Sequence, residues 1–219
     1  KAYQFANFIS VASQHVKESF LLHQYPENRI FVNPYGVDLS MFKPLPNIPK
    51  KYDVIMVGGW GYEKGCDLIV EAIRKTNYSF IHVGSIKDVD FPQEKNFTHI
   101  DPVDQSKLIE YYNQAKVFIL PSRQDGFGMV LSQALACNLP IIGSNNCGAP
   151  DLKKMVELPE YITIIKDYTA DAIVTAIHTA IKNYEQLGER IYAGNAIENL
   201  TWEAYGKRYA NFLHKIIKQ

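Results

Sequence analysis

The chain has 219 residues, 47% hydrophobic and 21% charged, and its 23 basic and 23 acidic residues give a formal net charge of zero. That balance lacks the basic excess of a nucleic-acid binder, and no apolar run approaches the roughly 20 residues of a membrane-spanning helix. Three cysteines, Cys66, Cys137 and Cys147, without CxxC spacing, argue against structural disulfides and for a reducing compartment.

The chain opens at Lys1 rather than Met, so an excerpt of a longer protein is expected, and its first residues carry no signal-peptide pattern. Residues 7–12 (NFISVA) read as a short buried strand. Ser13 is placed to cap a helix running to about Gln24, with Val16, Phe20 and His23 on one stripe. Residues 27–38 (ENRIFVNPYGVD) form a strand and turn. Pro44, Pro46 and Pro49 then stiffen residues 43–51 into a linker, which is expected to bound a domain.

Beyond the linker the pattern alternates. Strands are predicted over 52–57, 78–83, 97–100, 117–120, 141–143 and 161–165. Helices are predicted over 66–75, from Asp104 with Leu108, Tyr112 and Ala115 on one face, over 127–137, from Pro150 to about Glu157, over 169–187, and from a Thr201 cap onward. Asn138 suits the left-handed position after a helix. The last helix carries Trp202, Tyr205, Tyr209, Phe212 and Ile216 on one side, a stripe that reads as packing. Short apolar strands alternating with helices imply an α/β fold, a Rossmann-like doubly wound parallel sheet with helices on both faces. Ligands of such sheets bind outside the carboxyl ends of the strands.

Two turns fall at such ends. Residues 58–65 (GGWGYEKG) form a glycine-rich turn ending in Lys64 at a helix start. It suits a phosphate but is neither a P-loop nor a G-x-G-x-x-G in register. Residues 121–133 (PSRQDGFGMVLSQ) run from a strand through two glycines into a helix, where unpaired amides and the helix dipole favour an anion. Asp125 puts a carboxylate at the mouth. Gln133, eight positions on, lies about two turns down a regular helix. A third turn, Gly148-Ala149-Pro150-Asp151, places an acid in a first helical turn. His82 lies within a strand and reads as a satisfied core residue. The six histidines make no metal or Ser-His-Asp pattern. The Asn-x-Ser/Thr triplets at Asn77, Asn96 and Asn199 are read as chance occurrences.

These blocks together resemble the C-terminal, donor-binding domain of GT-B glycosyltransferases of the retaining family 4 (group 1) type. The likeness runs through Val32-Asn33-Pro34-Tyr35-Gly36-Val37-Asp38 with Phe42 and Pro44, where the family usually has Asn in place of Tyr35. It continues through Val57 to Trp60 and Lys64-Gly65, through Pro121 to Gly128 with Gln133-Ala134 and residues 136–140 (ACNLP), and through Gly148 to Asp151.

The resemblance implies a nucleotide-diphosphate sugar as co-substrate, no other cofactor, no bridging metal, and a sugar or lipid-linked acceptor. Asp125 and Lys64 would be the catalytic pair, with Lys64 on the diphosphate and Asp125 on the donor sugar. Gln133 would hold the ribose, the Gly126, Phe127, Gly128, Met129 and Val130 backbone the sugar and phosphate, and Ile100 and Asp101 the base, with Gly58 and Gly59 completing the site.

Asp125 and Gln133 stand where the family usually has glutamates, and Gly59 where it usually has an arginine; Trp60 by shape or Arg123 by charge would compensate. The implied organisation is residues 1–44 as the tail of an N-terminal acceptor domain plus linker, 45–200 as the donor domain, and 201–219 as a helix returning to the N-terminal domain, whose remainder is a missing partner. The setting implied is cytoplasmic, with a peripheral position at the inner membrane face left open. The products would be glycans or polysaccharides. Two other readings stay open: a nucleotide-sugar epimerase on the same scaffold, and a non-catalytic nucleotide-sugar-binding module.

Overall fold

Two apolar runs, Val54 to Val57 and Val117 to Leu120, become the middle of the sheet, each residue at most 5% exposed. Burying each such side chain is worth roughly 1.5–3 kcal/mol, which fixes these strands as the centre. The computed structural model describes residues 2–187 and 194–218. Lys1, residues 188–193 of the expected donor domain and Gln219 at the end of the expected returning helix lie outside the described residues.

Six parallel strands form the sheet: β3 (Tyr52–Val57), β4 (Phe80–Val83), β5 (Phe97–Ile100), β6 (Ala115–Leu120), β7 (Ile141–Ser144) and β8 (Ile162–Ile165), in the order β5-β4-β3-β6-β7-β8. The chain lays strands outward in one direction from β3 and in the other from β6. The two neighbours, in register at Val54 with Val117 and Ile55 with Phe118, therefore flank the switch point. The connecting helices are α2 (Cys66–Arg74), α3 (Gln105–Asn113), α4 (Met129–Ala136), α5 (Ala149–Met155) and α6 (Ala170–Leu187). The last packs on α2 and over β6, β7 and β8. This is the expected doubly wound parallel sheet flanked by helices.

Before the sheet lie β1 (Ile9–Val11), α1 (Gln14–Leu22) and β2 (Ile30–Val32); after it lies α7 (Trp202–Ile217). β1 and β2 pair in parallel as a separate two-stranded sheet. Phe31 of β2 stacks on Phe212 of α7 at 4.2 Å. Arg208 of α7 donates to Asn33 Oδ1 at 2.7 Å and to the Pro34 carbonyl at 2.8 Å. Among the described residues no helix is long and apolar enough to cross a membrane.

Local expectations hold where a side chain decides them. Ser13 Oγ accepts from the Val16 amide, Thr201 Oγ1 accepts from the Ala204 amide, and Asn138 has φ 67°. Three differ. Ala115 belongs to β6, because α3 ends at Asn113. Asp104 precedes α3 but its side chain makes no cap hydrogen bond. The helix expected from Phe127 begins at Met129, because Gly128 sits in the left-handed region at φ 77° and breaks it.

Candidate functional site

The glycine-rich turn after β3 and the turn after β6 leave adjacent strands at the same carboxyl edge. They are joined directly to each other. The Arg123 amide donates to the Glu63 carbonyl at 2.8 Å. The Arg123 guanidinium donates to the Tyr62 carbonyl, makes a two-pronged pair with Asp67 at 2.6 and 2.8 Å, and lies 3.7 Å over the Tyr62 ring. Gly65 has φ 75°, and a Cβ there would lie 2.5 Å from the Pro121 carbonyl oxygen. Glycine is required at this crossing by both conformation and space.

That crossing sets the central pair. Lys64 Nζ meets Asp125 Oδ2 at 2.7 Å, with both side chains largely buried. Glu63 stands 3.8 Å from the same ammonium. Asp125 Oδ1 accepts from the Phe127 amide at 3.2 Å, and the Asp125 amide donates to the Asn146 carbonyl. The carboxylate is therefore aimed by the backbone on both sides. Next to it α4 begins, and the first amides of a helix have no intrahelical acceptor.

A cavity of about 700 Å³ opens here, lined by Gly58, Lys64 and residues 125–130, which are Asp125, Gly126, Phe127, Gly128, Met129 and Val130. That volume suits a ligand of drug or nucleotide size. The opposite wall comes from β1 and α1 through Ile9, Val11, Ala12, Val16 and Phe20, with Tyr35 also lining it. This second wall was not legible as part of a site. Its only signal is an apolar strand and helix stripe, which reads as core. The two walls are pinned where Ser13 Oγ donates to the Gly126 carbonyl at 2.6 Å. They are pinned again where the Gln14 amide, at the start of α1, donates to both Asp151 oxygens at 3.1 and 3.2 Å. Asp151 thus serves α1 as well as the first turn of its own helix, and burial pushes its carboxyl above the usual range.

Other expected site residues lie elsewhere. Gln133 is buried, and its Oε1 accepts from the Tyr112 hydroxyl at 2.9 Å. It faces a separate, smaller cavity of about 200 Å³ lined also by Gly36, Asp38, Met129 and Trp202. The expectation of two regular turns between Asp125 and Gln133 fails because residues 125–128 are not helical. Ile100 ends the edge strand β5 and Asp101 follows it, two strands from β3 and outside the cavity lining, and the Asp101 side chain is exposed. Gly59 sits beside the cavity, and the Lys87 side chain lies across it.

The two expected compensations also fail. Trp60 is fully buried, packed 5.0–5.6 Å from the Phe80, His82 and Phe91 rings, so it presents no shape to a ligand. Arg123 is committed to Asp67.

His82 is buried as expected. Its Nε2 faces the Gly58 carbonyl at 2.8 Å and its Nδ1 faces His99 Nδ1 at 2.9 Å. A carbonyl only accepts, so His82 Nε2 donates, and the neutral ring receives the His99 proton at Nδ1. Burial, then the neighbouring His99, lower the His82 pKa to about 4, against the pull of the Gly58 carbonyl. His99 Nε2 in turn lies 3.4 Å from Asp101 Oδ1. All three cysteines are buried free thiols, with burial pushing Cys66 and Cys137 up to about 12.

The chain's likeness to known proteins points the same way. A family model described as glycosyl transferases group 1 matches residues 39–196. The chain is 26% identical, over 98% of its length, to a "probable sucrose-phosphate synthase" of Thermosipho melanesiensis, of which it spans 56%. It is 23% identical, over 95% of its length, to a GDP-mannose-dependent alpha-(1-6)-phosphatidylinositol monomannoside mannosyltransferase of Mycolicibacterium smegmatis, of which it spans 62%. Among solved structures, Anabaena Alr3699/HepE in complex with UDP-glucose superposes with a TM-score of 0.78 at 17% identity, over 98% of this chain and 65% of that one. The chain spans less than two thirds of each of these proteins.

Proposed function

The chain belongs to the glycosyl transferases group 1 family, and from that premise we propose that it is the donor-binding part of an enzyme moving a sugar from a nucleotide-diphosphate sugar to an acceptor. The carrying observation is the meeting of Lys64 and Asp125 at the β3/β6 switch point beside the start of α4. A cation, a carboxylate and the start of α4 converge there on one cavity.

In this reading the diphosphate exchanges its oxygens for Asp125 as partners of Lys64, and the α4 amides take the remaining charge. Asp125, released, accepts from hydroxyls of the donor sugar. As the bond from sugar to phosphate breaks, negative charge grows on the departing oxygen. A fixed ammonium and fixed amides stabilise that charge without reorganising, so no bridging metal is invoked. The acceptor hydroxyl attacks from the same face, with retention of configuration, and the sugar is of hexosyl type. HepE is solved with UDP-glucose and the mannosyltransferase relative is named for GDP-mannose, which supports a nucleotide-sugar donor and leaves the base to experiment.

The organisation proposed is a donor domain over 45–200, a preceding segment over 1–44 that belongs with an acceptor domain, and a returning helix over 201–219. The acceptor is a sugar or a lipid-linked sugar, in glycan or polysaccharide synthesis at the cytoplasmic side. The 219-residue chain alone is expected to bind the donor and not to transfer sugar. Incubating the full-length protein with UDP-, GDP- and ADP-sugars and reading nucleotide release and product anomer tests this. A product of inverted configuration contradicts the mechanism, and robust transfer by the 219 residues alone contradicts the division of labour. A donor bound but neither transferred nor hydrolysed selects a non-catalytic binding module, the reading favoured by the turning of Gln133 toward Tyr112. Among the described residues no histidine lines the cavity, so an epimerase reading gains no support.

A further inference from the structure

We propose that Lys87, on the loop after β4, is a second diphosphate-binding cation of this site, a reading that rests on the donor site proposed above. The loop is built against the glycine-rich turn. The Trp60 amide donates to the Ser85 carbonyl at 2.7 Å, and the Lys87 amide donates to the Trp60 carbonyl at 2.9 Å. Trp60 and Ile86 form a parallel bridge between these bonds. The Tyr62 amide donates to Asp88 Oδ1 at 2.9 Å. The buried Trp60 side chain anchors this ladder from below, so the position of residue 87 is set by backbone bonds on the turn itself.

The Lys87 side chain then fills the space that Gly59 leaves. A Cβ at Gly59 would lie 2.5 Å from Lys87 Cε and 3.0 Å from its Nζ. The ammonium therefore stands where a side chain growing from the turn would begin, one residue from the cavity-lining Gly58. Its ammonium is held by fewer partners than those of its neighbours. Lys64 is paired with Asp125 and Arg123 with Asp67, whereas Lys87 makes no ion pair among the described residues. An incoming diphosphate carries several negative charges, and Lys64 alone must first leave a carboxylate to meet them. Lys87 needs only to rotate its stem.

The test titrates the unaltered chain, Lys87→Ala and Lys87→Arg with UDP, GDP and ADP and with the matching nucleosides. For whichever diphosphate binds, Lys87→Ala is expected to weaken affinity about tenfold or more, as loss of a charge-assisted contact does. Nucleoside affinity is expected to stay the same, and Lys87→Arg to retain most of the diphosphate affinity. Lys87 is exposed, and an unchanged melting temperature for the variants removes misfolding as a cause. If the unaltered chain binds a diphosphate and Lys87→Ala binds it equally, the role of Lys87 is overturned while the donor site stands. Equal losses for the Ala and Arg variants overturn it as well. If the unaltered chain binds no diphosphate at all, the donor site fails and Lys87 falls with it.

Discussion

Lys64 Nζ and Asp125 Oδ2, 61 positions apart in sequence, lie 2.7 Å from each other across two turns of neighbouring strands. The carboxylate occupies the place on the ammonium that a phosphate oxygen would take. In the proposed function, ligand binding is therefore an exchange of anions, in which Asp125 would compete with the diphosphate until the sugar arrives.

That competition has a measurable sign. Asp125→Asn keeps an oxygen for the Phe127 amide and removes the charge. It is expected to tighten binding of a nucleoside diphosphate lacking sugar by about two- to tenfold, the scale of a partly buried charge contact, and to abolish sugar transfer by the full-length protein. Calorimetric titration decides. Weaker diphosphate binding by Asp125→Asn would mean that the carboxylate positions Lys64 rather than competing with its ligand.

Gly65 and Gly126 differ in what they tolerate. Gly65→Ala puts a residue in the left-handed region, at about 1–2 kcal/mol, and a Cβ 2.5 Å from the Pro121 carbonyl oxygen. A total loss of roughly 2–4 kcal/mol is expected. At Gly126 the nearest atom to a Cβ is Val16 Cγ2 at 4.0 Å, so Gly126→Ala leaves stability within about 0.5 kcal/mol. Chemical denaturation of both variants measures this. A Gly65→Ala protein as stable as the parent would mean that the two turns are not locked at this crossing.

His82 makes stability fall on acidification. Burial holds its pKa at about 4, below the roughly 6.5 of an unfolded histidine. The folded state keeps the ring neutral while the unfolded chain takes up a proton. The contribution is intact above pH 6.5 and is lost progressively as pH falls toward 4. It amounts to about 3 kcal/mol when complete. Melting temperatures between pH 8 and pH 4 should show this slope, and His82→Gln should flatten it. An unchanged slope in that variant would mean that His82 is not its source.

What could be read from the sequence follows from range. The strands were legible because short, mostly apolar runs are bounded by turn residues such as Gly58, Gly84 and Pro121, and the shared edge of the two turns follows from the parallel alternation, while the adjacency of β3 and β6 comes only with the strand order. Gln133 lies off the cavity because a helical count does not hold through Gly128, whose left-handed backbone starts the helix at Met129, two residues later than expected. Trp60 and Arg123 sit in the right turns, but their side chains are claimed by partners remote in sequence, the Phe80 and Phe91 rings and Asp67. Lys87 carries no signal of its own. Its place depends on an absent side chain at Gly59 and on a ladder that only the folded loop reveals. The apolar cavity wall of β1 and α1 was hidden for the same reason, since a stripe facing a cavity and a stripe facing a core read alike.

In the proposed function, everything rests on Lys64 gripping a diphosphate at the β3/β6 edge. Titrating the unaltered chain and Lys64→Ala with UDP, GDP and ADP, and with the matching nucleosides, tests it most directly. Saturable binding of at least one diphosphate is expected, weakened roughly 10- to 100-fold in Lys64→Ala with nucleoside affinity nearly unchanged. Absence of binding to all three diphosphates, or equal losses for diphosphate and nucleoside, would contradict it.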